Sequence, residues 1–287
     1  MRNNAGKLVF AILILLILLN ILAWREVLRV NGKKFLEVTF FDIGQGDAIF
    51  IESEKMHQIL IDGGPNNTIL EKLAEEMPSW DRTIDLIVLT HPEHDHMRGL
   101  IEVLKRYEVE NVLWTGVIRE EAEYEEWKRL LKEEGARIYI AQSGQKISAQ
   151  ENSFFIDILY PFESLNRVEA KNINDTSIVA RLVFKENSFL FTGDISKKIE
   201  EELVEKEFEI DSDILKVGHH GSKTSTGEVF VKEVSPDIAV IQCGRSNPYG
   251  HPYKEVLQNL EGIKVLRTDL IGDIKILSNG EECFIKN

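Results

Sequence analysis

The chain has 287 residues, 43% hydrophobic and 29% charged, the proportions of a globular protein with a real core, which excludes disorder over most of its length. Lys+Arg number 34 against Asp+Glu 48, a formal net charge of −14, so an unaided electrostatic grip on nucleic acid is disfavoured. Two cysteines, Cys243 and Cys283, exclude a cysteine zinc site or a disulfide framework.

The first predicted element is Leu8 to Trp24, 17 residues whose one polar member is Asn20. As a helix it covers about 25 Å, close to the ~30 Å hydrocarbon core of a bilayer. Arg2 and Lys7 precede it and Arg25, Arg29, Lys33 and Lys34 follow, so basic residues do not fix its orientation. Ala23-Trp24-Arg25 is a poor substitute for a small-residue cleavage site. Residues 1–34 are therefore expected to be a membrane anchor and short linker, with a signal peptide as the alternative. Residues 35–287 are expected to form one soluble domain, because no long Gly/Ser or Pro linker divides them.

From Phe35 onward short β-like runs alternate with helical ones. Predicted strands are 36–41, 48–52, 58–61, 84–89, 154–159, 177–184, 189–191, 213–217, 238–241, 264–266 and 274–277, rich in Val, Ile and Phe and bounded by Gly, Asp or Asn. Predicted helices are 68–76, 97–105, 120–134, 196–206, 227–234 and 253–259. The mixture implies sheets covered by helices.

Three of these strands end on metal-ligand chemistry. The run 84–89 stops at Thr90-His91-Pro92-Glu93-His94-Asp95-His96, which holds three of the seven histidines and two carboxylates. Neutral imidazoles and carboxylates together suit zinc or manganese. The run 189–191 stops at Thr192-Gly193-Asp194, a weak signal alone. The run ending at Lys216-Val217 delivers Gly218-His219-His220-Gly221-Ser222. Together they are expected to bring ligands to one edge, as in a strand-based hydrolase.

The run His91-x-Glu93-x-Asp95-His96 resembles the His-x-His-x-Asp-His signature of the metallo-β-lactamase superfamily, and Leu60-Ile61-Asp62-Gly63-Gly64 resembles its preceding motif. Further segments are similar to the metallo-hydrolase domain of the competence DNA-uptake protein ComEC. They are Phe41-Asp42-Ile43-Gly44-Gln45-Gly46-Asp47-Ala48, Asn174-Asp175-Thr176-Ser177, Lys216 to Ser222, Asn247-Pro248-Tyr249-Gly250-His251-Pro252 and Arg267-Thr268-Asp269-Leu270-Ile271-Gly272. The resemblance implies an αββα four-layer sandwich with metals at the sheet edge. It also implies phosphodiester hydrolysis, of DNA or another nucleic acid, outside the cytoplasmic membrane. The alternatives are hydrolysis of an ester, lactone, lactam or thioester, and a non-catalytic partner of an envelope machine. Nucleic acid is the expected substrate and the membrane is met through residues 8–24, while the residues leave any protein partner open.

The same resemblance implies the site. His91, Glu93, Asp95, His96, Asp194 and His219 or His220 are expected to hold one or two ions of Zn²⁺ or Mn²⁺. Asp95, His220 and His251 are expected in proton transfer or phosphate stabilisation. Asp42, Gln45, Asp47, Asp62, Asn174, Asp175, Ser222, Asn247 and Asp269 are expected around the ligands or substrate. Two departures stand out: Glu93 replaces a histidine, and no histidine lies between His96 and His219, so the middle ligand of the signature is missing. One site can gather Asp95, His96, Asp194 and His219 or His220. The other has His91, Glu93 and the shared Asp194, an oxygen-rich set that admits Mn²⁺. Lys216, Lys223, Arg245 and Lys254 follow the motif loops and are expected to help capture substrate locally. His57 and His94 are expected at the surface.

Overall fold

The computed structural model describes residues 2–32, 35–148 and 154–286; Lys33 and Lys34 lie outside the described residues. Six strands come first: β1 (Leu36–Phe40), β2 (Ile49–Glu52), β3 (Gln58–Ile61), β4 (Thr83–Leu89), β5 (Glu108–Trp114) and β6 (Arg137–Ile140). Seven follow: β7 (Lys146–Ser148), β8 (Phe155–Tyr160), β9 (Val179–Phe184), β10 (Asn187–Phe191), β11 (Ile214–Lys216), β12 (Ile238–Ile241) and β13 (Lys264–Arg267). The last two are β14 (Ile274–Ser278) and β15 (Cys283–Lys286). They form an eight-stranded sheet, β15-β14-β1-β2-β3-β4-β5-β6, and a seven-stranded sheet, β13-β12-β11-β10-β9-β8-β7. Within each, one half is parallel (β3 to β6; β10 to β13) and the other antiparallel.

Alternation along the strands divides the core. Ile59 and Ile61 of β3, Phe189 and Phe191 of β10 and Val240 of β12 meet between the sheets. Their neighbours Leu60, Leu190 and Ala239 point the other way, to the helices. Helices α2 (Thr68–Glu76), α3 (His94–Leu104) and α4 (Ala122–Glu134) cover the first sheet through Leu73, Leu100 and Trp127. Helices α5 (Lys197–Glu205), α6 (Glu228–Val234) and α7 (Lys254–Asn259) cover the second through Leu203, Phe230 and Val256. The expected αββα sandwich is thus present. A short α8 (Thr268–Ile271) connects β13 to β14.

β5, β6, β7 and β15 were not among the predicted strands. β5 exposes Glu108 and Glu110 on its first residues, and β6 is a mostly exposed edge, so neither offers the apolar signal that marked the inner strands. Helix α3 starts at His94 rather than at 97, with Glu93 as its N-cap, so the ligand run itself forms the first turn. Before the sheets, α1 (Arg2–Gly32) contains an apolar stretch, Gly6–Trp24, of mean hydropathy 2.6, none of it buried and long enough to cross a membrane.

Candidate metal centre

The site gathers at the C-terminal ends of the parallel strands, where open α/β sheets commonly place ligands. β3 leads into Asp62, β4 into Thr90 and His91, β10 into Asp194 and β11 into His219 and His220. The first turn of α3 adds Asp95 and His96. Their donor atoms converge in overlapping groups: His91, His96 and Asp194; Asp95, His96 and His220; Asp47, Asp194 and His220; Asp47, Asp62 and His96. His96 Nε2 lies 3.3 Å from Asp194 Oδ2, and His220 Nε2 lies 3.3 Å from Asp95 Oδ2 and 3.4 Å from Asp194 Oδ2.

Backbone geometry forces this convergence. His219 and His220 are both left-handed, φ 47° and 55°, a conformation that costs a non-glycine residue on the order of 1–3 kcal/mol. It turns the two side chains out of β11 within one tight loop, closed by Ser222 N–H donating to the His219 carbonyl at 2.8 Å. Gly46, at φ 141°, lets the Asp42–Asp47 loop touch the ligand turn. A Cβ there would sit 2.3 Å from the Asp95 carbonyl oxygen.

The far nitrogen of each ring is held by a neighbour, which aims the near one inward. Asp62 Oδ2 accepts from His96 Nδ1 at 2.7 Å. The Gln242 carbonyl accepts from His220 Nδ1 at 3.0 Å. His91 Nδ1 lies 3.1 Å from both Thr90 Oγ1 and Ser177 Oγ. Thr90 Oγ1 donates to Asp62 at 2.6 Å, and Ser177 Oγ accepts the Asp194 N–H at 3.0 Å, so both hydroxyl oxygens can accept the His91 proton.

Charge is balanced below the cluster by Lys216, only 1% exposed. Its ammonium pairs closely with Asp47, donates to the Gly193 carbonyl at 3.2 Å and lies 3.7 Å from Asp194 Oδ1. Burial alone would neutralise this lysine; the Asp47 and Asp194 carboxylates outweigh it and hold its pKa above the ordinary value. Burial and the neighbouring His96 charge depress His91 to about 3, leaving a neutral ring. Burial acts in the same direction on His96 and His220, but Asp194 with Asp62, and Asp194 with Asp47, respectively outweigh it and hold both well above the usual range. Asp194 is held well below its range by His220 and His96 against the opposing effect of burial. The cluster therefore holds protons where its carboxylates demand positive charge.

The remaining residues selected from sequence divide into near and far. His219 stands at the rim, 25% exposed, its Nε2 3.7 Å from Asp194 Oδ2 and 3.4 Å from Asn174 Nδ2. Glu93 is in none of the converging groups and faces Arg119 at 3.5 Å. His251 lies beside the cluster, its ring 6.3 Å from that of His220. Gln45 Nε2 approaches His251 Nδ1 at 3.4 Å, and Gln45 Oε1 accepts the Gly244 N–H at 3.3 Å, so the His251 Nδ1 is the acceptor and its proton rests on Nε2. Ser222 bonds Thr224, which in turn holds His219 Nδ1 at 3.2 Å. Asp42 fixes its own loop through Gly44 N and Asp273; Asp175 accepts from Ser196 N and Asn172; Asp269 takes Arg267 at 2.9 and 2.7 Å. These three brace loops rather than reach the cluster. His94 is exposed and bonds Glu123 at 2.9 Å.

Lys216 corrects one expectation: buried on Asp47, it cannot reach substrate. Thr90, Ser177, Gln242 and Arg119 join the site without being among the residues expected there. Thr90 and Ser177 each lie inside a motif run, Thr90 to His96 and Asn174 to Ser177, whereas Gln242 and Arg119 lie in none.

The residues fit a dication. Among the described residues, Nε2 of His91, His96 and His220 and Oδ1 of Asp47 and Asp194 are buried without a hydrogen-bond partner. Buried polar atoms are normally paired, and an ensemble of imidazole and carboxylate donors in one place suits Zn²⁺ or Mn²⁺.

Residues 41–245 match the metallo-beta-lactamase superfamily, and the chain belongs to that family. It is 31% identical over 258 residues to ComE operon protein 3 of Bacillus subtilis, covering 83% of this chain and 32% of that protein. It is 35% identical over 248 residues to competence protein ComA of Neisseria gonorrhoeae, again covering 83% of this chain and 32% of that protein. The chain thus spans about a third of the length of these relatives. Among solved structures it superposes on the metallo-beta-lactamase fold protein YhfI from Bacillus subtilis with a TM-score of 0.58 at 13% identity, over 85% of this chain and 100% of that one. The metallo hydrolase Igni18 from Ignicoccus hospitalis gives 0.52 at 15%, over 88% and 99%. At these identities the two structures establish the fold. The metallo-hydrolase fold and the resemblance to competence proteins read from the motifs both stand.

Proposed function

We propose that the chain is a metal-dependent phosphodiesterase acting on DNA outside the cytoplasmic membrane, in DNA uptake. The observation that carries the metal dependence is the gathering of three buried imidazole nitrogens without hydrogen-bond partners, on His91, His96 and His220, around the Asp194 carboxylate. The nucleic-acid substrate is supported by the similarity to competence proteins, and the location by the apolar helix α1, which would tether the domain of residues 35–287.

In this reading His91, His96, His220, Asp95 and Asp194 hold one or two ions of Zn²⁺ or Mn²⁺. His220 rather than His219 is the ligand, because His219 Nε2 already accepts from Asn174 and lies farther from Asp194. The dication, when bound, supplies Lewis acidity and makes water nucleophilic near neutral pH. The chain supplies the rest. Asp95, partly exposed and held ionised by His220 and His96 against burial, is placed to orient the attacking water through its carboxylate. His251, depressed to about 4 by burial and by the His220 and His219 charges, is neutral, and its Nε2–H donates to a phosphate oxygen. Asp62 and the Gln242 carbonyl keep the His96 and His220 rings in register. Arg119 secures Glu93 at the mouth.

The test is a substrate panel on the purified full chain: bis-p-nitrophenyl phosphate beside a chromogenic β-lactam, an aryl lactone and a thioester. Chelator-sensitive turnover of the phosphodiester alone is expected. Turnover confined to a lactam, lactone or thioester would overturn the phosphodiesterase assignment, since fold does not fix chemistry.

A further inference from the structure

Beside the cluster, β12 runs into the loop from Gly244 to Pro252, which is stapled by one side chain. Asn247 Nδ2 donates to the Gly244 and His251 carbonyls, both at 2.8 Å, and Asn247 Oδ1 accepts the His251 N–H at 2.9 Å. The loop is anchored again where Tyr253 N–H donates to the Gly221 carbonyl at 2.8 Å, directly after the paired histidines. These bonds hold two rings in fixed relation to the site. His251 stacks on His220 at 6.3 Å and 29°, and Tyr249 stacks on His251 at 5.7 Å and 23°. Tyr249 nevertheless remains 60% exposed. A row of near-parallel rings therefore leads from a candidate metal ligand out to solvent.

A single exposed aromatic ring is ordinary. This one is held by a bonded loop, shares a near-parallel ring contact, and is one ring removed from the centre where a phosphodiester would be cut. A planar partner on the same strand as that phosphodiester is a nucleobase. A base inside a duplex already stacks on both its neighbours and has no face to give; an unpaired one does. The charge of the chain points the same way. At −14 it does not attract a polyanion as a whole, so contact must come from local features. Exposed Lys223, 5.7 Å over the Tyr253 ring, and exposed Arg245 supply positive charge on the loops beside this row. Stacking on an aromatic ring with a few flanking cations is the usual means of holding a single strand without reading its sequence.

We propose, resting on the phosphodiesterase reading, that Tyr249 is a stacking platform for an unpaired nucleobase next to the hydrolytic site, so that the chain takes single-stranded nucleic acid. The ring selects for the base and leaves sugar identity open, so the class covers DNA and RNA strands.

The experiment is fluorescence anisotropy of fluorescein-labelled eight-nucleotide strands on the metal-loaded full chain, with phosphorothioate links to slow cleavage. Thymidine, deoxyuridine, uridine, abasic and duplex versions are compared for the wild type, Tyr249→Ala and Tyr249→Phe. Tyr249→Ala is expected to weaken base-bearing strands about tenfold and Tyr249→Phe to retain them, since the stacking face is lost only with the ring. The abasic strand is expected to bind the wild type as weakly as the full strand binds Tyr249→Ala, with no further loss on combining the two. Deoxyuridine strands, matched to the uridine strands in base and differing only in sugar, decide the nucleic acid by the difference between the two while leaving the platform in place. No strand binding by the wild type, equal weakening of abasic and base-bearing strands by Tyr249→Ala, or tighter binding of the duplex would overturn the proposal. Ring-dependent binding without turnover of bis-p-nitrophenyl phosphate would instead sink the phosphodiesterase reading alone.

Discussion

Lys216 shows how a single residue sets the electrostatics of the site. A buried ammonium between two carboxylates is stable only as part of that set, and removing it leaves Asp47 charged in a dry interior. Lys216→Met is therefore expected to lose about 3–5 kcal/mol in urea unfolding followed by tryptophan fluorescence. Lys216→Met combined with Asp47→Asn, which removes both charges, should recover at least half of that. Equal losses for the single and double variants would show that packing, not charge, makes Lys216 necessary. The lysine was illegible as a structural residue because a cation ending an apolar strand reads as exposed, and its partner Asp47 belongs to a distant segment of the other sheet. His91, Asp194 and His220 were legible as candidates because each lies within a few residues of an apolar strand's end, where such side chains can converge, and His96 because it closes the same histidine- and carboxylate-rich run. The choice between His219 and His220 was not. Adjacent residues carry the same sequence signal, and only the left-handed turn separates a buried ring from a rim one.

Elements carry the same lesson one level up. The inner strands β2, β3 and β10 to β12 are buried along their whole length and β1, β4, β8, β9 and β14 over more than half of theirs, so their apolar runs announced them. The outer strands β5 to β7 and β15 expose one face or sit at an edge, and helix or loop composition competes there. Between α5 and α6 lies a buried carboxylate, Glu200, that accepts the Thr226 N–H at 2.5 Å and the Gly227 N–H at 2.8 Å ahead of α6. Burial raises its pKa to about 7, despite those bonds and nearby Lys197. The folded state thus binds this proton more tightly than the unfolded state, whose value is the ordinary 4.5. Below pH 4.5 both states hold the proton and the group contributes nothing; through the window from about 4.5 to about 7 stability falls as pH rises, by about 3 kcal/mol in full. Above it the cost is constant. Urea midpoints of wild type against Glu200→Gln across pH 4 to pH 8 should show this descent in the wild type and its loss in the variant. Parallel curves would mean Glu200 titrates normally.

At the scale of the molecule two features sit together: a strongly acidic hydrolase fold and an apolar helix with none of its span buried. The span Gly6–Trp24 is left bare by the sandwich, a surface that a bilayer would cover. Protease added to intact cells is expected to remove the sandwich from the membrane fraction; full protection would place it in the cytoplasm. Alternating apolar runs and helices imply only sheets covered by helices; the αββα order was legible through the resemblance of the motifs to the metallo-β-lactamase superfamily. The pairing that lays β14 beside β1, closing the first sheet with the C-terminal strands, is a long-range contact that no local pattern encodes.

The central claim, hydrolysis at a metal site built on His96, is tested most directly by cleavage of a labelled DNA strand. Purified full-length wild type, His96→Ala and Glu93→Gln would be assayed with added Mn²⁺ or Zn²⁺, with metal content measured on the same preparations. Wild type is expected to hold about one to two equivalents of dication and to lose turnover to chelator. His96→Ala removes a residue common to three of the converging groups and should cost at least about a hundredfold. Glu93→Gln, facing Arg119 outside those groups, should keep most of the activity. Cleavage equal in wild type and His96→Ala, or indifferent to chelator, would contradict the account.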